Sequence, residues 1–380
     1  MSEGAFSLHG TTSRLRARGV REVLDPELAR GPGTAGAALA MLRRIEAETG
    51  QPAVIVGAIA FDPYRPAHLW VPRAHALDSP APRVREAAEG RGVEIDDPGY
   101  RAAVEVALQQ IAEGKLTKVV LARAVDVVAE EPVDVDLLHA TLAAANVGAY
   151  AFSVQLDDGG VLLGASPELL VRVSGRQVVS NPLAGSTPRG ATPEADERAR
   201  SQLSVSGKDL GEHRLVVTAV DSVLARLTVE IDTPTEPSLS STEHLWHLST
   251  TVTGELRTGV TALDVAYALH PTPAVCGVPA TSAARLIADV ETSDRGFYAG
   301  LVGWMDSAGN GEWVLALRSG VVRGNHVRVH AGAGVVAAST ADGEHAETGT
   351  KLQTFLRSLD AVVPDYSISP AADALVGPRA

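Results

Sequence analysis

Two pairs of acidic residues in predicted helices are the first candidates for chemistry. Asp209 and Glu212 lie in one long helical segment of the sequence. Glu344 and Glu347 lie in a second helical segment near the C terminus. A spacing of three residues places both carboxylates of a pair on one helix face. Two such faces brought together would form the oxygen-rich kind of site that Mg²⁺ prefers.

The same spacings also fit a plain, solvated helix surface. Lys208 stands four residues before Glu212, and Lys351 stands four residues after Glu347. Ion pairs at this spacing stabilise an exposed helix by about 0.2–0.5 kcal/mol each without binding any ligand. The residues alone therefore leave a metal site and a solvated face both open.

Two cations occur in strands that are otherwise apolar. Lys118 opens KVVLARA, and Arg318 follows WVLAL, where strand alternation puts it on one face with Val314 and Ala316. Burial lowers the pKa of a lysine amine and can turn it into a base. A buried arginine needs a carboxylate or an anionic ligand as its partner. A charged position on an edge strand is the alternative for both residues.

A glycine-rich stretch, GAGVVA at 332–337, matches the short G-x-G-x-x-A pattern of dinucleotide sites. That pattern requires the glycines to open a helix, whereas these continue a strand. Gly332 and Gly334 share a strand face, where bare backbone admits a ligand, although a strand edge or bulge fits equally. His244 and His247 in EHLWH do not form a zinc motif and are predicted to be structural, with one able to contact a ligand.

Apolar periodicity predicts the elements that must position these residues. Strands follow one another in runs, with helices between the runs, and this order indicates an α+β fold without a dividing linker. The stretch 77–98 is predicted to be a loop with a short helical piece, and 187–200 a loop entering a helix. The predicted helices are 34–48, 99–113, 205–228, 262–269, 281–290 and 344–358. The predicted strands are 53–61, 68–72, 118–128, 149–156, 160–166, 169–179, 244–256, 297–306, 311–322 and 326–336.

The composition of the 380 residues excludes several classes of protein. A single Cys rules out an internal disulfide and the four-Cys and Cys₂His₂ zinc sites. The 33 basic and 46 acidic residues give a net charge of −13, opposite to the basic surface that nucleic acids require. The sequence shows no secretory leader and no apolar run near the roughly 20 residues of a membrane-spanning helix. A cytoplasmic enzyme or binding protein, with neither nucleic-acid nor membrane partners, is the resulting expectation.

Ten sequence blocks, in order, resemble the chorismate-utilising enzymes. From about residue 100 to 358 their order and spacing are those of the isochorismate synthases. GAIAFDPYRP at 57–66 resembles that family more weakly. LHPTPAVCG and GEWVLALRS are specific motifs within this set. The blocks are KVVLAR, SPELLV, NPLAGS, SGKDLGEHRLVV, LWHLST, LHPTPAVCG, DRGFYAGLVGW, GEWVLALRS, AGAGVV and ExxxK.

The resemblance implies a fold of large antiparallel β-sheets packed together with helices on the outside, forming a single chorismate-binding domain. Residues 1–98 would be the N-terminal part of this fold, 99–360 its catalytic core and 361–380 a loose tail. The implied activity is the Mg²⁺-dependent, reversible conversion of chorismate to isochorismate. In this reaction water adds at C2 of the ring and the C4 hydroxyl leaves.

The resemblance also implies the roles of four central residues. Lys118 would be the general base that activates water, and Glu168 would be the general acid that protonates the leaving hydroxyl. Glu212 and Glu347 would hold the Mg²⁺ ion, which bridges to the ring carboxylate. Moving a hydroxyl needs one group that takes a proton and one that gives a proton. Lys118 must therefore lose its charge, and Glu168 must keep its proton.

Further roles carried over from the family concern the substrate and the metal waters. The cations would face substrate carboxylates, the glycines and the serine would make close contacts, and the alanine and histidine would lie near the ring. Two outer carboxylates would hold metal waters. These residues are Arg318, Lys351, Gly185, Ser186, Gly332, Ala274, His247, Asp209 and Glu344.

Departures from neighbouring families narrow the implied activity. Aminodeoxychorismate synthases carry a Lys where this chain has Ala184, and anthranilate synthases lack the base that Lys118 supplies. Salicylate synthases keep the Lys and Glu pair and then eliminate pyruvate, so they remain an alternative. A catalytically silent chorismate-binding protein is the third possibility. The resemblance favours a monomer, and the sequence leaves open whether the product feeds siderophore or menaquinone synthesis.

Overall fold

The structure is a computed structural model that describes residues 4–10, 13–77, 95–242, 245–363 and 365–371. The helices are α1 Gly33–Thr49, α2 Pro98–Ala112, α3 Val135–Ala145, α4 Pro193–Val205, α5 Gly207–Leu227, α6 Ala262–Leu269, α7 Ala280–Val290 and α8 Ala341–Asp360. None of these described helices is long and apolar enough to cross a membrane.

The described residues form twenty β-strands. They are β1 Phe6–His9, β2 Arg14–Val23, β3 Val54–Ile59, β4 His68–Leu77, β5 Lys118–Ala129, β6 Tyr150–Gln155, β7 Val161–Ser166, β8 Leu169–Ser174, β9 Gln177–Asn181, β10 Leu183–Pro188, β11 Thr228–Asp232, β12 Ser238–Ser241, β13 Leu245–Ser249, β14 Val252–Leu256, β15 Gly277–Val278, β16 Leu301–Asp306, β17 Gly311–Leu315, β18 Ser319–Arg323, β19 His326–Val335 and β20 Tyr366–Pro370.

Seventeen strands of the described chain form one continuous antiparallel sheet. Hydrogen-bonded pairs give the order β11-β14-β9-β8-β17-β16-β3-β4-β2-β1-β6-β7-β18-β19-β5, and β15 and β20 both pair with the outer edge of β5. A separate three-stranded sheet has the order β10-β13-β12. Strands that are close in sequence often lie far apart in this order, so the chain passes repeatedly between the two halves.

The long sheet folds back so that its two halves pack face to face. Phe152 and Leu162 from one half meet Val302 and Val314 from the other in one core, together with Trp70. Helices cover the outer faces: α1, α5 and α6 pack on the β8–β17–β16–β3 side. On the β7–β18–β19–β5 side, α3 and α8 pack on one part and α2 and α7 on another. The prediction of an α+β fold with large packed antiparallel sheets and outer helices is confirmed.

Described strands near both ends of the chain join the same sheet. Strand β1 pairs with β6 and β3 pairs with β16, so N-terminal strands lie beside strands of the predicted catalytic core. The division at residues 1–98 and 99–360 stays a prediction. The loose tail predicted from 361 differs in part, because Tyr366–Pro370 pairs with the outer edge of β5, which β15 leaves uncovered beyond its first residues. Residues 372–380, and most of the predicted 77–98 loop, lie outside the described residues.

The two acid-bearing helices begin with side-chain caps. The Ser206 hydroxyl accepts a hydrogen bond from the Asp209 amide at the start of α5, and the Thr340 hydroxyl accepts one from the Gly343 amide at the start of α8. Such caps satisfy backbone N–H groups that have no partner within the helix. Asp209 and Glu344 stand in the first turns, where a negative charge is favoured by the helix dipole. The caps therefore fix where each helix begins, and so where its acidic pair lies.

Candidate active site

One cleft collects the residues that the sequence singled out. It encloses about 810 Å³ of empty space, a figure that includes space open to solvent. Lys118 lies beneath the cleft surface and contacts it through Glu212. The predicted residues that line the cleft are Glu168, Gly185, Ser186, Asp209, Glu212, His247, Ala274, Arg318, Gly332, Glu347 and Lys351. Their roles stay predictions, but the fold brings them together.

Lys118 is the first residue of β5 and is fully buried. Its Nζ lies 2.9 Å from Glu212 Oε1, although this contact lacks the angles of a hydrogen bond. Gly334 on the neighbouring strand β19 creates the room for this pair. A Cβ at position 334 would lie 2.5 Å from Glu212 Oε1 and 3.1 Å from Lys118 Cε. The second glycine of GAGVVA therefore serves close packing of side chains rather than a nucleotide.

Glu168 lies between β7 and β8 and is 4% exposed. Burial raises the pKa of its carboxyl to about 8, and this outweighs the opposing effects of the Leu183 amide and of Lys118. The Leu183 amide donates to Glu168 Oε1 at 3.4 Å. A carboxyl with this pKa holds its proton at neutral pH, which is the state a general acid requires.

Arg318 does not continue the strand as the alternation predicted. β17 ends at Leu315 and β18 begins at Ser319, and Arg318 has a φ of 50°. β17 pairs with β8 and β16 in one half of the sheet, whereas β18 pairs with β7 and β19 in the other. The chain crosses between the halves at this point, so the predicted common face with Val314 and Ala316 is wrong. The crossing places Arg318 in the wall of the cleft.

The acidic pairs of α5 and α8 meet, as their spacing allowed. Lys208 Nζ donates to Glu344 Oε1 at 3.3 Å, across the two helices. Burial and the neighbouring Glu347 raise the pKa of Glu344. Burial and the neighbouring Glu212 raise the pKa of Asp209. These mutual effects show that four carboxylates share one electrostatic environment, so the purely solvated-face interpretation does not hold.

Lys351 is the cation that stands nearest to Glu347. Its Nζ donates to Glu347 Oε1 at 2.6 Å and to the Gly332 carbonyl at 3.0 Å. Burial opposes ionisation of Glu347, but Lys351 outweighs it and keeps the pKa of this carboxyl below its usual value. Glu347 is therefore ionised at neutral pH and available as a ligand for a cation.

The carboxylates fit an open magnesium site, in which waters and substrate oxygens complete the coordination. Among the described residues, no three Asp, Glu, His or Cys side chains converge closely enough to hold a metal by themselves. Mg²⁺ is usually bound by one or two carboxylates and completed by waters and substrate oxygens. Glu212 and Glu347 could supply two such ligands, and Glu344 Oε2 is buried without a hydrogen-bond partner among the described residues. The donor set fits the predicted ion, whose identity stays a prediction.

The remaining predicted contacts have clear local causes. Gly185 has a φ of 76°, and a Cβ there would lie 2.9 Å from the Asp209 Cβ, so only glycine fits beside α5. Ser186 follows a bulge in the pairing of β10 with β13. His247 on β13 is buried, and its pKa is lowered to about 3 by burial, with help from Arg318. His247 is thus a neutral ring facing the cleft, while His244 lies outside the described residues.

Several lining residues were not singled out from the sequence. Tyr298 and Arg295 both belong to the DRGFYAGLVGW block, which was the available signal, and Lys208 belongs to SGKDLGEHRLVV. Tyr298 stacks on His330 with ring centroids 5.0 Å apart. Burial raises the pKa of Tyr298 to about 12, so its hydroxyl stays protonated and can donate a hydrogen bond into the cleft.

Several known proteins are similar to this chain in sequence and in fold. Residues 67–360 match the chorismate binding enzyme family. Isochorismate synthase DhbC of Bacillus subtilis (strain 168) is 40% identical over 374 residues, covering 94% of each chain. The crystal structure of DhbC from Bacillus anthracis superposes with a TM-score of 0.87 at 36% identity, covering 95% of this chain and 97% of that one.

A more distant structure agrees with these matches. MenF, the menaquinone-specific isochorismate synthase from Escherichia coli, has a TM-score of 0.79 at 25% identity and covers 94% of this chain and 89% of its own. The match of the family profile over most of the chain, together with a 40% identical relative, decides the assignment. The chain belongs to the chorismate-binding enzyme family.

Proposed function

We propose that this protein is an isochorismate synthase, an isomerase that interconverts chorismate and isochorismate. Relatives that carry this name match nearly the whole chain. The observation that carries the proposal is a pair of buried ionisable groups at one cleft: Lys118 beneath its surface, and Glu168 in its lining with a carboxyl that stays protonated at neutral pH. Hydroxyl transfer requires a proton acceptor and a proton donor at the two reacting carbons.

In the proposed reaction the two groups act on the substrate in sequence. The Lys118 amine takes a proton from the water that attacks C2, and the Glu168 carboxyl gives its proton to the C4 hydroxyl, which leaves as water. One water enters and one leaves, so the product is an isomer of the substrate. The Lys118 Nζ lies 2.9 Å from Glu212 Oε1, so the proposed base stands directly beside a proposed metal ligand.

The remaining residues are proposed to hold a doubly negative substrate. Arg318 and Lys351 line the cleft as cations, and Glu212 and Glu347 would hold Mg²⁺. The ion, when bound, supplies positive charge for a substrate carboxylate. The chain's overall charge of −13 would repel such a substrate, so the local cations must reverse that field. We propose chorismate as the small-molecule partner and a cytoplasmic monomer as the working form.

Incubation with chorismate and Mg²⁺, followed by chromatographic separation of the products, tests the proposal. We expect isochorismate, formed reversibly from either direction, as the sole product. Accumulation of salicylate and pyruvate at neutral pH would assign the chain to the lyases. An absence of turnover, with chorismate still bound, would make it a silent binding protein.

A further inference from the structure

The outer edge of β5 contains a gap that no strand of the described residues covers. β15 pairs with the first two residues of β5, and β20 pairs with it from Val125 onward. The Val120 carbonyl and the Ala122 amide lie between these two strands and point to the same edge. An unsatisfied backbone group at a buried position costs free energy comparable to a lost hydrogen bond. Side chains satisfy both groups here.

A buried ion pair fills this gap. Arg295 Nη2 donates to the Val120 carbonyl at 2.7 Å, and the Ala122 amide donates to Glu291 Oε1 at 2.7 Å. The two side chains also bind each other, through Arg295 Nε at 2.9 Å and Nη2 at 2.5 Å. They are only 3% and 5% exposed. The pair thus makes the hydrogen bonds of a missing strand and neutralises its own charge.

The same arginine also binds a second segment of the cleft wall, which leads into β15. Arg295 Nη1 donates to the Val275 carbonyl at 2.8 Å, and the Phe61 ring covers the guanidinium at 4.3 Å. Val120, Ala274 and Val275 all line the cleft. Four of the five guanidinium N–H groups are occupied by protein atoms, so Arg295 is committed to the wall rather than to a ligand.

We propose that Arg295 and Glu291 are positioning residues for the isomerisation, an inference that rests on the proposed function. Together with the Val120 amide, which donates to the Cys276 carbonyl at 2.7 Å, they hold the β5 segment that carries Lys118 against the Ala274–Val275 wall. Lys118 and Val120 are two residues apart on one strand and so share a face. A shift of this segment relative to the wall therefore moves the base relative to the substrate ring. Displacement of a catalytic group by about 1 Å costs on the order of 100-fold in rate.

The test separates positioning from stability by removing both charges together. Replacing a buried ion pair with apolar side chains is often neutral or stabilising, whereas removing one partner leaves an unpaired charge. We expect the Arg295→Met/Glu291→Leu double variant to stay folded but to melt below the wild type, because the Val120 and Val275 carbonyls and the Ala122 amide lose their partners. Its kcat should fall about 100-fold. Its Mg²⁺ affinity, measured by calorimetry, should stay within about twofold, because neither replaced side chain is a proposed metal ligand.

A matched control removes a similar pair from the far end of the same strand. Arg328 on β19 donates to both carboxylate oxygens of Asp126 on β5, at 2.8 and 3.0 Å, away from the cleft. The Arg328→Met/Asp126→Leu variant should keep kcat within about twofold of the wild type. Equal losses in both double variants, or full activity of the Arg295→Met/Glu291→Leu protein, would overturn the inference.

A second readout does not depend on catalysis. Hydrogen exchange of the Ala122 amide, followed by mass spectrometry, should become at least tenfold faster when Glu291 is replaced. If the wild type forms no isochorismate, the proposed function fails, and the inference is then decided by this exchange rate and by chorismate affinity; unchanged values of both overturn it. If the double variant does not fold, Arg295→Lys keeps the charge but cannot span both carbonyls, and it should show the same loss of kcat.

Discussion

Glu168 and Glu347 are both buried glutamates of one cleft, yet they carry opposite charge states. Glu168 lies in a turn between strands, and burial raises its pKa to about 8. Glu347 lies on α8, where Lys351 at 2.6 Å overcomes burial and lowers its pKa. The same type of side chain is therefore protonated in one place and an anion in the other, and the neighbouring cation makes the difference.

This difference follows from the elements that carry the two residues. A helix places Lys351 one turn from Glu347, so a carboxylate and a cation meet by spacing alone. The turn at Glu168 offers the Leu183 amide at 3.4 Å but no cation within ion-pair distance among the described residues. The helical side of the cleft is thus suited to hold ions, and the strand side to keep a proton.

The largest effect is expected from removing the proton donor or acceptor. Glu168→Gln and Lys118→Gln keep size and burial but remove the acid and the base. Each should lower kcat by about 1000-fold, within the 10²–10⁴-fold range of general acid–base catalysis. Chorismate binding, measured by calorimetry, should persist in both variants. Near-normal turnover of either variant would remove that residue from its proposed role.

A smaller effect is expected on the helical side. Glu347→Gln removes the anion but leaves the amide within reach of Lys351. Loss of one carboxylate ligand should weaken Mg²⁺ binding by about 10–100-fold, with kcat recovering in part at high Mg²⁺. Titration calorimetry with Mg²⁺ measures the affinity. Glu197→Gln, on the exposed face of α4, is the control, and equal affinities in the two variants would contradict a metal role.

The contrast between the two glutamates could be predicted only in part from the sequence. The resemblance to the family predicted the roles of Lys118, Glu168, Glu212 and Glu347, because these residues lie in sequence blocks that match it. The long strands and amphipathic helices were also predicted, since their periodicity extends over many residues. Nothing in SPELLV shows that its glutamate keeps a proton, because that depends on burial by segments far away in sequence.

The missed features share one cause, which is dependence on distant partners. The crossing at Arg318 interrupts a sequence that alternates like one strand, and only the pairing of β17 and β18 with different neighbours reveals it. β15 has two residues, too few for any period. Arg295 acts on the Val120 and Val275 carbonyls, which any residue type would offer. Every residue has a backbone carbonyl, so the sequence does not show which carbonyls accept a side-chain hydrogen bond.

The pH dependence of activity follows from the charge state of Glu168. Its carboxyl loses its proton above about pH 8, so kcat should fall about tenfold per pH unit beyond that value. Stability should follow the same group: its pKa is raised in the folded state, so the folded protein binds the proton more tightly. The stabilisation is complete below the unfolded pKa and is lost as pH rises toward 8. Urea unfolding from pH 5 to 9 should show this decline, and Glu168→Gln should flatten it; an unchanged slope would contradict the raised pKa.

The smallest loss of kcat is expected from Gly334, whose only contribution is to leave space for Glu212 and Lys118. Gly334→Ala would place a Cβ 2.5 Å from Glu212 Oε1, and the carboxylate would have to move away from Lys118. Because the clashing atom is the end of a flexible side chain, which can rotate aside, we expect only about a tenfold loss of kcat. Gly36→Ala in α1 is the control, since a Cβ there meets nothing within 4 Å and should leave kcat unchanged. If Gly334→Ala matches this control, the spacing between Glu212 and Lys118 is not under constraint from β19, and the base is positioned by its own strand.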